Sequence, residues 1–374
     1  MSLIDKILEK AAAVGFDTAG VGPAQPASGG EFRRWLDSGR AAGMTWMGKD
    51  VDRRVRPSSK TAIVCGLSYF VQDPPPMIWN DPARGRISRY AWGRDYHDVM
   101  RPMLEELAAF VREETGWVTG VRVNVDTGPV LERDLAAHAG LGFVGKNTNL
   151  IHPDFGSYLF LGEVLLDAEI DSQSPISNGQ LEIGNRCGDC ARCLTHCPTG
   201  ALVEPYGLDA RKCLSYLTIE HRGAIPEELR PKMGNWIFGC DECQQACPRN
   251  AHLRTSAFDV QAPATSLRGA AARFLRFNEH LCAPKLADLM ELDEDGFRER
   301  FAGTPVLRAK RSGLLRNVAV ALGNARDSSS LEVLEKAARD SDALIREHAE
   351  WAVARVRTQT PNVERPTPNF DVRR

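Results

Sequence analysis

"CGDCARCLTHCPTGAL", residues 187–202, carries four cysteines, Cys187, Cys190, Cys193 and Cys197, at spacings of three, three and four, with Pro198 directly after the last. Zinc sites commonly use C-x2-C pairs separated by a longer loop. Here three cysteines recur every third residue, which suits three corners of a cubane wrapped by local backbone, while the Cys-Pro pair points away. This is the C-x2-C-x2-C-x3-C-P run of iron–sulfur proteins, whose fourth cysteine ligates the other cluster where there are two. A second set is therefore required. "CDECQQACP" (240–248) supplies Cys240, Cys243 and Cys247 before Pro248. Three residues upstream of Cys240 stands Ile237, so Cys213 in "RKCLSY" is the available eighth ligand. Crossed ligation assigns Cys187, Cys190, Cys193 and Cys247 to a first [4Fe–4S] cluster, and Cys197, Cys213, Cys240 and Cys243 to a second. Structural zinc is the competing reading. The remaining Cys65, in an apolar run, and Cys282, in a helical one, read as small buried hydrophobes.

The rest of the composition frames this motif. A chain of 374 residues is too long for one ordinary domain. No apolar run approaches the ~20 residues that span a bilayer. The start, "MSLIDKILEKAAAVGF", has an amphipathic helical pattern, with neither a signal-peptide core nor a twin-arginine signal. The expected compartment is the reducing cytoplasm, with no membrane partner, where ten cysteines favour metal ligation over disulfides. A net charge of -2 is not that of a non-specific nucleic-acid binder. Residues 300–374 nevertheless hold 14 Lys and Arg against 9 Asp and Glu, which taken alone fits a solvated surface.

Helix-like and strand-like patterns alternate over residues 1–175. "TAIVCGLSYF" (61–70), "VRVNVD" (121–126) and "SYLFLGEVLL" (157–166) are strand-like. "DVMRPMLEELAAFVREET" (98–115) sets Val99, Met103, Leu107 and Phe110 at helical spacing, and "PVLERDLAAHAG" (129–140) is framed as a helix by proline and glycine. The expectation is an α/β domain over 1–175. A two-cluster ferredoxin-like domain over 176–258 follows, entered through a polar linker at 167–185. Residues 259–360 are helical, with "LLRNVAVALGN" (314–324) and "SLEVLEKAARDSDALIREHAEWAVARV" (330–356) patterned like HEAT-type helix pairs. Only two units are visible, too few to stand alone, so they are expected to lean on the rest. Residues 361–374 read as a flexible tail.

Two cubanes carry electrons but choose no substrate, so the α/β domain should hold the acceptor. No G-x-G-x-x-G follows a strand and no G-x-x-x-x-G-K-[ST] occurs, which leaves nicotinamide binding and nucleotide hydrolysis unsupported. "ISRYAWGRDYHDVM" (87–100), "VDTGPVLERDLAAHAGLGFVGKNTNLI" (125–151), "GSYLFLGE" (156–163), "FGCDECQQACP" (238–248) and "KRSGLLRNVAVALGN" (310–324) closely resemble the epoxyqueuosine reductase family. The resemblance runs from near the N-terminus to about residue 357. It implies conversion of epoxyqueuosine to queuosine at the tRNA wobble position, the last step of queuosine synthesis. It also implies cobalamin beside two [4Fe–4S] clusters, in a nitroreductase-like domain related to that of reductive dehalogenases. The D-x-H-x-x-G motif that gives cobalt a histidine is absent, and "DLAAHAG" (134–140) has the wrong spacing.

The resemblance makes Asp126 in "VDTGP" the proton donor; the residues alone allow a helix N-cap there equally well. Glu132 is the runner-up acid, or a partner for Arg133. Arg54, Tyr96, His97, Asp126, Lys146, Ser157, Ser215 and Thr218 become expected cofactor contacts, with the 213–240 segment lining the same site. Arg308, Lys310, Arg311 and Arg316 form the densest basic group and become the expected tRNA contacts. An external low-potential electron donor and a monomeric enzyme complete the picture. The alternatives are a reductive dehalogenase, disfavoured by the missing export signal, and a non-catalytic electron-transfer subunit.

Overall fold

The structure is a computed structural model that describes residues 1–71, 73–116, 120–170, 186–255, 276 and 278–358. The three strand-like runs named above form a sheet with one more strand: β1 (Thr18–Pro23), β2 (Thr61–Ser68), β3 (Val121–Asn124) and β4 (Leu159–Leu166). The order is β1-β2-β4-β3 and every pairing is antiparallel. Alternating helix and strand patterns usually produce a parallel sheet. Here each long connection leads to a strand that runs opposite to its sheet neighbour, so the domain mixes helices with an antiparallel sheet.

All eight residues of β2 are buried, which is why its pattern is a continuous apolar run rather than an alternation. Ile63, Cys65 and Leu67 face helices α1 (Leu3–Val14) and α2 (Tyr96–Thr115). Ala62 and Val64 face α3 (Glu132–His138). In α2, Val99, Met103 and Leu107 are buried at the expected spacing. Helix α3 starts at Glu132, three residues later than the proline suggested, and its N-cap position is Leu131, which makes no side-chain cap bond. Asp126 is therefore not a helix cap.

Residues 186–255 do not stand apart from this domain. Helix α4 (Leu214–Ile219) leads towards β5 (Trp236–Phe238), which pairs in parallel with Arg86–Ile87. Helix α5 (Lys310–Ala325) packs against α7 (Ala343–Arg357), and α6 (Leu331–Ala337) lies beside α7. The approach of α5 to α7 is close: a Cβ on Gly323 would meet Trp351 at 2.7 Å and Ala352 at 2.9 Å. Every residue from Gly313 to Gly323 is buried. Helix α5 also packs against β5 and α4, so the helical region leans on its neighbours.

Cys65 and Cys282 lie in two hydrophobic cores. Among the described residues no helix is long and apolar enough to cross a membrane. The 171–185 part of the linker, the tail after Thr358 and all three expected domain boundaries lie outside the described residues.

Candidate active site

The eight motif cysteines gather in two neighbouring groups. Burial raises the Cys193 thiol to about 11, and the thiols of Cys247, Cys187 and Cys190 act on it next. These four line one cavity of about 380 Å³, with Lys146, Arg186 and Arg249 at its rim. One water takes a share of only ~30 Å³ in the liquid, so this space suits a multi-atom cluster. In the second group burial raises the Cys243 thiol, followed by Cys213 and Cys197. Cys240 is likewise raised by burial, with Cys243 and Cys213 adding to it. Backbone N–H groups face the sulfurs, among them Ala201 on Cys197 at 3.3 Å. Such N–H···S bonds tune iron–sulfur potentials.

A second constellation forms where β3 ends. Asp126 sits there with φ +55°, a left-handed conformation that Asp tolerates better than most residues. Its Oδ2 lies 3.5 Å from His97 Nε2, and His97 Nδ1 lies 2.7 Å from Asp95 Oδ1. Asp95 is also the N-cap of α2, accepting from the His97 N–H. The Tyr96 ring stacks on Phe160 at 4.2 Å and on His97 at 4.1 Å. Burial works against charge on His97, but hydrogen bonds to Asp126 and Asp95, with their charges, outweigh it and raise the imidazole to about 9. The hydrogen bond from His97 is the main reason that Asp126 lies below the usual carboxylate range. The resting pair is thus imidazolium and carboxylate, and the mobile proton sits on His97. Burial and the charge of Asp126 push the Tyr96 hydroxyl up, so it stays a neutral donor.

Behind Asp126 lie two more carboxyls. Glu132 Oε1 accepts the Asp126 N–H at 2.6 Å and Asn124 Nδ2 at 3.1 Å. Asn124 Nδ2 also donates to Glu163 Oε2 at 2.7 Å, across a β3–β4 register pair. Burial raises Glu163 to about 8 and Glu132 well above its ordinary value, with Glu163 the second cause for Glu132. The expected partner Arg133 turns instead to the Thr148 carbonyl. Arg54 Nη1 holds the Gly128 carbonyl at 3.1 Å. Arg54 Nε and Glu163 Oε1 are buried without hydrogen-bond partners.

Arg54, Tyr96, His97 and Asp126 are therefore brought together, and four other expected contacts are engaged elsewhere. Lys146 Nζ donates to the carbonyls of Gly188 (2.6 Å) and Cys190 (3.1 Å), so it serves the first cysteine group. Ser157 is buried in a network with Gln244 and Asn250 that ties β4 to the cysteine segment. Thr218 is fully buried, its hydroxyl donating to Leu214 O and accepting from Gly239 N–H. Ser215 turns its hydroxyl and N–H to the Cys213 thiol.

The basic group also divides. Arg316 is not a surface residue: it is fully buried and donates to the carbonyls of Leu217, His221 and Gly223. Burial lowers its guanidinium to about 10. Arg311 is paired with Asp340 at 2.6 Å and donates to Leu292 O. Lys310 is exposed. Arg308 is exposed, paired with Glu220 at 3.0 Å and set over the Trp46 ring, and its charge helps to lower Asp126.

Asp95, Asn124, Glu163 and Tyr90, whose hydroxyl is pushed up by burial and then by Asp126, were not picked out from the sequence. A usable signal existed for Glu163 alone, a lone acid inside the apolar run "LFLGEVLL".

A family model described as a 4Fe-4S double cluster binding domain matches residues 186–250, and one described as epoxyqueuosine reductase QueG, DUF1730, matches residues 52–127. The epoxyqueuosine reductase of Xanthomonas campestris is 41% identical over 333 residues, covering 86% of this chain and 87% of that protein. The chain belongs to the epoxyqueuosine reductase family. It is accordingly an oxidoreductase with a 4Fe–4S double-cluster segment. One solved epoxyqueuosine reductase, bound to a tRNA-Tyr epoxyqueuosine-modified stem loop, shares 30% identity and superposes with a TM-score of 0.77, covering 94% of this chain and 89% of that one. The epoxyqueuosine reductase of Bacillus subtilis was solved with its catalytic loop, named for an aspartate, swung out of the active site. It shares 29% identity and a TM-score of 0.76, covering 94% of this chain and 90% of that one.

Proposed function

We propose that this chain, acting as a monomer, removes the epoxide oxygen of epoxyqueuosine in a tRNA anticodon loop, with the Asp126–His97 pair as its proton source. One observation carries the assignment of roles: His97 holds its proton between Asp95 and Asp126, at the head of a helix, facing the loop at the end of β3. Loss of the epoxide oxygen takes two electrons and two protons and gives an alkene and water. The developing alkoxide needs an acid close by. The Asp126 carboxylate receives the His97 proton as that charge develops and delivers it to oxygen, and a second proton, taken up from solvent, lets that oxygen leave as water. Tyr96, stacked and neutral, positions both groups.

Cys187, Cys190, Cys193 and Cys247 would hold one [4Fe–4S] cluster and Cys197, Cys213, Cys240 and Cys243 the other, and the bound pair would supply single electrons drawn from an external low-potential donor. The two neighbouring groups of four thiols support this crossed assignment. Cobalamin fits the same site in one respect: Arg54 Nε is a buried donor without a partner, as expected where a ligand's polar groups belong. Arg54, Tyr96, His97 and Asp126 would hold it. Bound cobalamin would supply a low-valent cobalt nucleophile for the epoxide. In this reading the antiparallel sheet with its helices is nitroreductase-like, and α5–α7 are HEAT-like. Arg308 and Lys310 are the tRNA phosphate contacts.

The test is the mass of the wobble nucleoside after incubating an epoxyqueuosine-bearing stem loop with reduced, fully loaded protein. Loss of one oxygen atom is expected. An unchanged mass with both clusters reduced refutes the reading.

A further inference from the structure

The loop from Val125 to Leu131 joins β3 to α3 and carries Asp126 near its start. Its internal backbone bonds are local, Thr127 N–H to Val125 O and Val130 N–H to Gly128 O. Such bonds shape a loop but do not fix it to anything. Beyond the contact of the Asp126 carboxylate with His97, two ties hold its backbone: Arg54 on the Gly128 carbonyl, and Glu132 on the Asp126 N–H. The second acts on the residue that matters. At 2.6 Å it is also the shorter of the two.

Glu132 is placed for this task from below. It is the first residue of α3, a helix anchored by buried Leu135, Ala136 and Ala137. A glutamate in the first turn ordinarily reaches back to its own N-cap. This one reaches six residues back, out of the helix, to a residue in the left-handed region. Its Oε1 is aimed by Asn124 Nδ2, which is itself held by fully buried Glu163. Asn124 has no room to move: a Cβ on Gly128 would meet its Oδ1 at 1.8 Å, so the loop turn is seated directly on its carboxamide. Glu163, Asn124, Glu132 and Asp126 thus form one chain of contacts from the centre of the sheet to the proton donor.

Packing alone does not account for this chain. A fully buried carboxyl beside a half-buried one is costly, and apolar residues would close the space at less expense. We infer that Glu132 is the latch of the Asp126 loop, a positioning residue whose bond to the Asp126 N–H holds that carboxylate against His97. The inference rests on the reading of Asp126 as proton donor. The groups facing Glu132 are Glu163, Asp126, Arg133 and Arg54. A latch made by one hydrogen bond defines two loop positions, docked and released, and one relative was solved with its catalytic loop swung out of the active site.

The test compares Glu132→Ala, Glu132→Asp and Glu132→Gln in fully loaded protein, with two readouts. The first is the titration midpoint of His97, followed by NMR of labelled histidine. With Asp126 docked it lies near 9; with Asp126 released only Asp95 remains, and it falls by about 1 unit. The second is single-turnover kinetics on a modified stem loop. Ala should lower kcat about tenfold to hundredfold, as for loss of one buried hydrogen bond, with KM little changed. Asp keeps a carboxyl but, one methylene shorter, draws the oxygen away; it should lower both readouts as Ala does, and it carries the test if the Ala variant fails to fold. Gln keeps the acceptor oxygen and should recover both readouts to within a few-fold. A wild-type His97 midpoint and kcat in the Asp variant, or equal damage in the Gln variant, overturns the latch. Asp126→Asn separates the two readings: normal turnover there removes the proton-donor role, while the His97 midpoint in the Glu132 variants, which keep the Asp126 carboxylate, still reports whether Glu132 docks the loop.

Discussion

Asp126→Asn should abolish most turnover while leaving a stable, fully loaded protein. The size of each effect follows from the site. Asn tolerates the φ of +55° almost as well as Asp. No cap is lost, because the N-cap position of α3 is Leu131. The bond from the Asp126 N–H to Glu132 is a backbone bond and survives. What disappears is an ion pair at 3.5 Å on a side chain that is 59% exposed. Exposed pairs contribute ~0.2–1 kcal/mol, so Tm should move by no more than about 4 °C. Catalysis is another matter, because an amide cannot relay the His97 proton. A positioned acid contributes roughly 10²–10⁴ in rate, and single-turnover loss of oxygen from the nucleoside should slow by that factor. Rate, Tm, iron and corrin content belong to the same preparation. A loaded variant of normal Tm with near-normal turnover refutes the argument and moves the role to another acid.

The pH profile should carry one alkaline limb. His97 is raised to about 9 from an ordinary value near 6.5, so its contribution to stability is complete below about 6.5 and is lost as pH rises through 9. That shift corresponds to about 3 kcal/mol, reduced to ~1–2 by solvent at the exposed Asp126; turnover that stays flat to pH ~10 would place the proton elsewhere. Cys213→Ala should lower iron from about eight to about four per chain, and an unchanged content would remove Cys213 from the ligand set. Replacing both Arg308 and Lys310 by Ala should weaken stem-loop binding and reduce its log–log salt slope by up to about 2. Arg316→Ala should instead cost more than about 3 kcal/mol, with three carbonyls left unpaired; a slope change from Arg316→Ala matching that of the exposed pair would contradict its burial.

Local patterns in the chain were good guides where physics is local. The cysteine spacings led to both groups of thiols, and a fully apolar run led to the twice-covered strand β2. Sheet direction was not legible, since it depends on how the long connections return. The helix at 129–140 began late because Asp126 and Gly128 are used in a turn that seats on Asn124, a contact no spacing rule contains. Arg316 misled for a similar reason. A basic residue is ordinarily solvated, and only the carbonyls presented by residues 217–223, almost 100 positions away in sequence, make it an interior residue. Glu132 and Glu163 lie thirty-one positions apart and meet only through the amide of Asn124. Tyr96 and His97 stood out by motif, yet their use depends on Asp95, whose cap to α2 fixes the imidazole.

Helix α5 has a mechanical consequence. Through Arg316 it grips the carbonyls of Leu217, His221 and Gly223, and through Asn317 those of Thr218 and Ile237. These carbonyls belong to the stretches that follow Cys213 and precede Cys240. A load applied to the C-terminal helices, by a bulky partner or by a break in the chain, is therefore transmitted as strain to the peptide groups around those two thiols. The far end of the molecule is in this sense a rigid handle on its redox interior, and cutting it away would disturb the cysteines long before it disturbed the sheet.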